Sequence, residues 1–534
     1  MNKRILAIAL ALGLAGAAQA AEIRPLNADA PGVGLNDPTP AAPVGGNHGA
    51  TIGEQRRIVY QFAADLWGAV LESPAQIRVQ ASFQPLRCDS TGTVLGSAGT
   101  LPIYILTSNN DPSTAMLYHG ALADALIGED LQDGASVDIV SRFNSSYGRT
   151  NPDGSACSPG SGWYYGVDGK TPAGQTNFLN VVMHEIAHGL GFSGFGDVAT
   201  GAPLVGYRDI YSSFVFDNVS QRGWYQLTNA GRAQAAVGGN LVFRGQQVTQ
   251  GVQLVRDEKM LLRASGNLQA GFDFGTAAFG PQPSPANFSG DVAAVNDGSA
   301  TPTLGCAASP AGAYNGKIAL VSRGACAFEI KAKNAENAGA IGVIIANNTG
   351  GTISMADDAT VVASIPTVSV SLADGNAIRA ALPGVQASLG TVPGVLAGVD
   401  ANGYAKLYAP NPVQPGSSFS HYDTSSSPNA LMEPAITSTL AGQIDVDLTP
   451  ALFADEGWTL NSGNALVGDA CDTGVAVNQE GGIIIGANVQ AWDNLCLASS
   501  SNKGSYQSCV AGYKNALRGA GLVDGKAGGK ITSC

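Results

Sequence analysis

The segment His184-Glu185-Ile186-Ala187-His188 constrains this 534-residue chain more than any other. Histidines four apart share one helical face, so two imidazole nitrogens can point at one tetrahedral metal. The glutamate beside the first is placed to deprotonate water that the metal activates. The chain holds only five His and eleven Glu, and at those frequencies the full H-E-x-x-H pattern arises by chance in roughly one chain in a thousand. The pattern from Gln175 to Leu190 predicts a helix with Gly191 at its end.

The flanking sequence predicts a mixture of helices and strands. Thr51 and Glu54 form a capping box ahead of Ile58, Phe62 and Leu66, which recur at helical spacing until Pro74 forbids continuation. Ile77, Val79, Ala81 and Phe83 alternate with polar residues, as in a half-buried strand. Further strands are expected at Ile103 to Leu106 and Val137 to Phe143, with a helix over Thr114 to Ile127. Downstream, Lys317 to Val321 and Ile341 to Ile345 are apolar strands around a helix from Phe328 to Ala338 that Gly339 closes, a βαβ-like module. The expected class is α+β. The length suggests roughly two to four domains. A hydrophobic fraction of 45% supplies their cores, and 70 Gly with 27 Pro imply many turns. A formal charge of −13 argues against nucleic acid as a partner.

Met1 to Arg4 is a short basic stretch, Ile5 to Gly16 an apolar run and Ala18-Gln19-Ala20 a small-x-small cleavage pattern, so residues 1–20 read as a signal peptide. No later segment reaches the ~18 uninterrupted apolar residues of a spanning helix. The mature protein is therefore expected to be secreted, extracellular or periplasmic, without a transmembrane segment. In an oxidising compartment the eight cysteines favour disulfides. Cys306 with Cys326 is a natural internal pair, and Cys88 is expected to pair, with Cys157 the foremost candidate, although count and spacing do not dictate connectivity. Cys471, Cys496, Cys509 and Cys534 crowd the last stretch, as in a domain too small to be held by its core alone.

A tetrahedral catalytic zinc takes three protein ligands and keeps its fourth position open. Asp197, Asp209 and His421 are the candidates for the third. Imidazole suits zinc, which favours His421. Of the other histidines, His48 lies in the leader and His119 on a separate helix, and a solvated role is expected for each.

The longer segment His184-Glu185-x-x-His188-x-x-Gly191 resembles the zinc helix of the metzincin metallopeptidases, in which a His or Asp three residues beyond the glycine completes the site. Here that position is Gly194. Ser420-His421-Tyr422-Asp423 followed by Leu431-Met432-Glu433-Pro434 resembles the third ligand and Met-turn of the leishmanolysin-like branch, where a long insertion precedes the last histidine. Val137-Asp138-Ile139-Val140 with Phe143 resembles the metzincin strand leading to the active-site edge, and Asp447 through Trp458 the closing helix. The module from Gly316 to Asn348 resembles a protease-associated (PA) domain.

These resemblances imply a secreted zinc-dependent endopeptidase acting on proteins or peptides. His184, His188 and His421 would hold Zn2+, Glu185 would be the general base, and Met432 would support the site from below. Substrate would lie antiparallel along a strand edge near Val137 to Phe143. The implied organisation is a signal peptide at 1–20, a leader or linker at 21–50 and a metallopeptidase domain at 51–254 and 399–460. A β-rich α/β PA-like domain at 255–398 interrupts it, and a small cysteine-rich domain at 461–534 follows.

Overall fold

The computed structural model describes residues 20–89, 92–109, 111–132, 134, 136–355, 361–468 and 470–534. All but the last residue of the expected signal peptide lie outside them. The chain divides into two compact units: one runs up to Arg256 and resumes from Gly398 to Cys534, and the other is Asp257–Ala397.

The first unit is built on the helix Ile52–Val70, which the reciprocal Thr51 and Glu54 capping box starts. Its apolar face buries Val59, Phe62, Leu66 and Trp67. A four-stranded sheet has the order Ile23–Asn27, Ile77–Gln84, Ile139–Asn144, Gly96–Thr100. The first three strands are parallel and the last is antiparallel, with Gly96 opposite Phe143 and Thr100 opposite Ile139.

Three expectations are corrected here. The leader at 21–50 carries an edge strand, and Asn47 is buried with its carboxamide donating to the carbonyls of Gln55 and Tyr165. Only Ile23 and Arg24 differ sharply in burial along that strand, so it leaves little periodicity to read. The strand expected near Val137 to Phe143 lies inside the sheet, and the edge is Gly96-Ser97-Ala98-Gly99-Thr100, whose glycines and alanine give no strand signal. The helix expected from Thr114 begins only at Gly120, because Met116–His119 pairs antiparallel with Ile103–Leu106. Cross-strand contact of Leu117 with Ile105 and Tyr118 with Tyr104 overrides the helical option.

Strand Val215–Asp217 pairs with Leu241–Phe243, which pairs in turn with Ala405–Lys406. The chain beyond Gly398 is thereby hydrogen-bonded to the chain that precedes Arg256, which returns residues past 400 to the unit of the His184 helix. Residues 461–534, expected as a separate domain, cluster with this same unit. Their helix Ile485–Ser499 packs on Ile52–Val70, with Trp492 edge-on to Phe62 at 5.8 Å. Disulfides Cys471–Cys534 and Cys496–Cys509 close this stretch, and Cys88–Cys157 lies elsewhere in the unit.

The second unit has an eight-stranded sheet whose centre is parallel: Ser289–Ala294, Ile318–Ser322, Gly342–Ala346 and Thr367–Val370. Helix Phe328–Asn337 connects the second and third of these, and Leu372–Ala380 follows the last and leads to the strand Val385–Leu396. Both faces are covered: Leu320, Ile344 and Val368 pack on one side, Val321, Val343 and Ile345 on the other. That is why the strands read as unbroken apolar runs. Gly339, at φ +93°, follows the first helix, and a Cβ there would come within 3.0 Å of the Asn315 Cα. Cys306–Cys326 closes a loop of this unit, and with it all eight cysteines are paired. Among the described residues no helix is long and apolar enough to cross a membrane.

Candidate metal centre

The helix Phe178–Leu190 starts where the Asn177 side-chain oxygen accepts the amides of Leu179 and Asn180, three residues after Gln175. Every residue of this helix is buried. Indole N–H groups grip it at two places, Trp67 on the Met183 carbonyl and Trp458 on the Leu190 carbonyl, both at 3.0 Å. It ends at Gly191, where a Cβ would lie 2.1 Å from Glu456 Oε2 of the closing helix Thr449–Glu456, so a larger residue would have to displace that buried carboxyl.

His421 arrives from the other side of the sequence. Its carbonyl accepts the Tyr408 amide, and the next residue, Tyr422, donates its amide to the Met432 carbonyl at 2.8 Å. Phe419, two residues earlier, sits at φ +78° between Tyr211 and Trp224, a conformation that an aromatic residue adopts only when its surroundings dictate it. Gly194, the position three beyond Gly191, faces this segment, and a Cβ there would meet Phe419 and Ser212 at under 3 Å. Its missing side chain makes room for the loop that carries His421.

The three rings converge. Nε2 of His184 is 3.1 Å from Nε2 of His188 and 3.1 Å from that of His421, and the third separation is 3.2 Å. Each Nδ1 donates to a backbone carbonyl at 2.7 Å, that of Leu431 for His184, Phe192 for His188 and Ser417 for His421. Burial lowers His184 to about 3 and His188 to about 4, and holds His421 well below the ordinary imidazole range. At neutral pH three uncharged rings therefore turn unprotonated nitrogens toward one point with no donor among them. Nitrogens ~2.0–2.1 Å from a tetrahedral zinc stand about 3.3 Å apart, so the donor set and its spacing fit zinc with one position open. Among the described residues this is the one cluster of His, Cys, Asp or Glu side chains able to hold a metal in this way.

Glu185 is buried, and its Oε2 has no hydrogen-bond partner. Desolvation raises its carboxyl to about 8. A Cβ on Gly96 would lie 2.6 Å from Glu185 Oε1, so the glycine lets the edge strand pass against this carboxyl. Met432 is fully buried. The other ligand candidates are engaged elsewhere. Asp197 caps an exposed turn, accepting the amides of Ala199 and Thr200, and Asp209 takes Ser212, Tyr225 and the Phe195 amide. His48 is exposed, but His119 is completely buried, its Nε2 2.9 Å from Ser193 Oγ, in contrast to the solvated role expected for it. It also ends a strand rather than lying within a helix.

Sequence reasoning missed Asp447. Its Oδ2 accepts the Leu431 amide at 2.6 Å, and the Leu431 carbonyl in turn holds His184 Nδ1. Asp tolerates the left-handed φ of +46° found there, but no spacing marks it.

Residues 288–378, within the second unit, match the PA domain family model. No curated protein matches the chain. Among solved structures, a zinc aminopeptidase from Bacillus subtilis is 21% identical over 28% of this chain and 37% of its own, with a TM-score of 0.20. A peptidase M28 precursor from Shewanella amazonensis is 16% identical over 39% of this chain and 49% of its own, TM-score 0.18. A subtilisin-like protease from an Antarctic Pseudoalteromonas is 19% identical over 43% and 49%, TM-score 0.19. The chain thus spans half or less of each of these proteins, and scores this low carry no inference about the metal centre.

Proposed function

We propose that this chain is an exported zinc endopeptidase of the metzincin type, with a PA domain in the insertion that precedes its third ligand. The observation that carries the reading is the convergence of three carbonyl-anchored, neutral imidazoles beside a buried glutamate. Export is supported by the N-terminal sequence pattern and by four disulfides that use every cysteine. His184, His188 and His421 are the residues that would hold zinc, which when bound supplies Lewis acidity toward a carbonyl and activates water. Glu185 takes a proton and returns it to the leaving amine, a task suited to a carboxyl whose site raises its proton affinity. The carbonyls of Leu431, Phe192 and Ser417 keep the rings in the tautomer that frees Nε2. The strand Gly96–Thr100, at the sheet edge and beside Glu185, is the edge to which an extended substrate would add in antiparallel pairing. Met432 underlies the site.

The test is zinc content per chain for wild type and His421→Ala, with casein cleavage by wild type and Glu185→Ala. One zinc in wild type, its loss in His421→Ala and loss of cleavage in metal-loaded Glu185→Ala support the reading. Zinc retained by His421→Ala at full occupancy rejects the three-histidine site, and cleavage unaffected in Glu185→Ala rejects the mechanism.

A further inference from the structure

Arg256, the last residue of the first unit before it resumes at Gly398, is 5% exposed. The helix Gln246–Val255 delivers it. The Asp455 carboxylate accepts the amides of Gln247 and Val248 at 2.9 and 3.0 Å where that helix starts, and the Arg256 amide donates to the Val252 carbonyl at 3.0 Å where it ends. An anion at the first turn and a cation past the last both suit the helix dipole. From this mount the side chain reaches the loop between His421 and Leu431. Nη1 donates to the Pro428 carbonyl at 3.2 Å, and the guanidinium carbon lies 5.5 Å from the centre of the Tyr422 ring. Tyr422 follows His421 and closes the loop by donating its amide to the Met432 carbonyl at 2.8 Å. Pro428 is on the returning limb, three residues before Leu431, whose carbonyl holds His184 Nδ1. One side chain thus touches both limbs.

A buried arginine is a poor filler of space. Its Nε and Nη2 have no partner among the described residues, and an apolar side chain of similar reach would avoid the desolvation. What the guanidinium offers instead is a rigid plane that bonds a carbonyl at one edge while it lies over an aromatic ring. We propose that Arg256 is a positioning residue for the histidine centre, clamping the two limbs of this loop so that its ends present the His421 ring and the Leu431 carbonyl at the separation the metal needs. The inference rests on the reading of that centre as a zinc site. A second link runs to the same carbonyl. Burial raises the Asp447 carboxyl to about 6 and the Arg256 charge opposes that rise, which favours the ionised form that accepts the Leu431 amide. Burial also raises Asp445 and Glu433, and Arg256 opposes it there too. Glu433 in turn accepts the Ala430 amide and the Asn429 carboxamide of the loop.

The experiment uses the full chain loaded with zinc and, in parallel, with cobalt, whose visible absorption reports the geometry of its ligands. Arg256→Met keeps an apolar stem and removes the charge and the donors. It is expected to lower zinc affinity about tenfold in competition with a chelator, the lower end of the range for partners of metal ligands, and to shift the cobalt absorption. Arg256→Lys keeps the cation without the fork, and it is expected to recover part of the affinity, a rescue that packing alone would not give. Should Arg256→Met fail to fold, Arg256→Lys is compared with wild type directly, and a shifted cobalt absorption with weaker zinc binding supports the clamp. A folded Arg256→Met with the wild-type affinity and absorption overturns the proposal, whether or not its melting temperature falls. The same result in Arg256→Lys overturns it where Arg256→Met does not fold. A wild type that takes up no zinc rejects the metal centre itself, and this role with it, before any variant is compared.

Discussion

The two units of this chain bury different kinds of side chain, and the contrast separates what holds a fold from what equips it. The unit Asp257–Ala397 places Leu320, Ile344 and Val368 under one face of its sheet and Val321, Val343 and Ile345 under the other, all from neighbouring strands in one stretch of chain. The other unit sinks His119, His184, Glu185, His188, His421, Asp124 and Asp138 below its surface, and it brings His184 and His421 together across 237 residues. Burying such groups costs several kcal/mol unless each is paired. Here backbone carbonyls hold the three converging imidazoles, while Glu185 Oε2 is buried without a hydrogen-bond partner. The apolar unit is thus held mainly by burial, with the Cys306–Cys326 disulfide beside it, whereas the other unit relies on specific partners around its three histidines.

The sharpest way to break that contrast is His421→Ala. Without its third imidazole the site should lose zinc, with metal per chain falling from one to near zero by elemental analysis and casein cleavage falling to background. Far-UV circular dichroism reports both units, and the melting transition in it that tryptophan fluorescence does not follow, that of the apolar unit, should be unaffected. A coincident loss of both would mean that the units do not keep their energetics apart.

The same contrast explains what could be read from the sequence. The His184 and His188 pair is legible because its spacing is one helical turn, and the βαβ run of residues 317–345 because both faces of its strands are buried. His421 was reached through imidazole chemistry and resemblance, and its 3.1 Å approach to His184 depends on the pairing of Leu241–Phe243 with Ala405–Lys406, which no local pattern announces. The edge strand Gly96–Thr100 was invisible because its small residues carry no strand propensity, and of its two glycines only Gly96 passes close to Glu185. Met116–His119 read as helix because its apolar residues suit either period, and only its partner strand decides. The Leu431, Phe192 and Ser417 carbonyls that orient the rings have no sequence signature at all, since every residue offers one.

Ile344→Ala tests the apolar side. Removing this fully buried side chain from the centre of the sheet should cost about 2–5 kcal/mol of stability in its unit. All five Trp lie outside Asp257–Ala397, so tryptophan fluorescence reports the unit of the three histidines while circular dichroism reports both. On urea titration an early dichroism transition should appear with the fluorescence midpoint unmoved and zinc still bound. The smaller counterpart in the polar unit is Asp447→Asn, which weakens the acceptor for the Leu431 amide and so loosens the carbonyl that orients His184. Partners of metal ligands typically contribute 10–100-fold in affinity. Competition with a zinc chelator should show a loss of that order without loss of fold, and an unchanged affinity would make Asp447 a mere turn residue.

The smallest effect tests a charge that the apolar unit buries. Lys331 is 0% exposed, and its Nζ donates to the carbonyls of Leu304 and Gly324 at 2.6 and 2.7 Å. Desolvation lowers it to about 8 against an ordinary 10.5, an effect that Asp297 partly opposes. Between those values the unfolded chain holds a proton that the folded chain has released, so stability should rise with pH through that window relative to Lys331→Met. Below pH 8 both states are protonated and the difference should be level. A neutral amine keeps two N–H donors for the same two carbonyls, so deprotonation need not undo the contacts that Lys331→Met removes. Urea midpoints by circular dichroism at pH 7, 8, 9 and 10 give the comparison. A wild-type advantage that stays level across pH 8 to 10 would mean that the two carbonyls hold the ammonium as well as water does, and that the apolar unit manages its one buried lysine by the same carbonyl pairing that the other unit uses for its histidines.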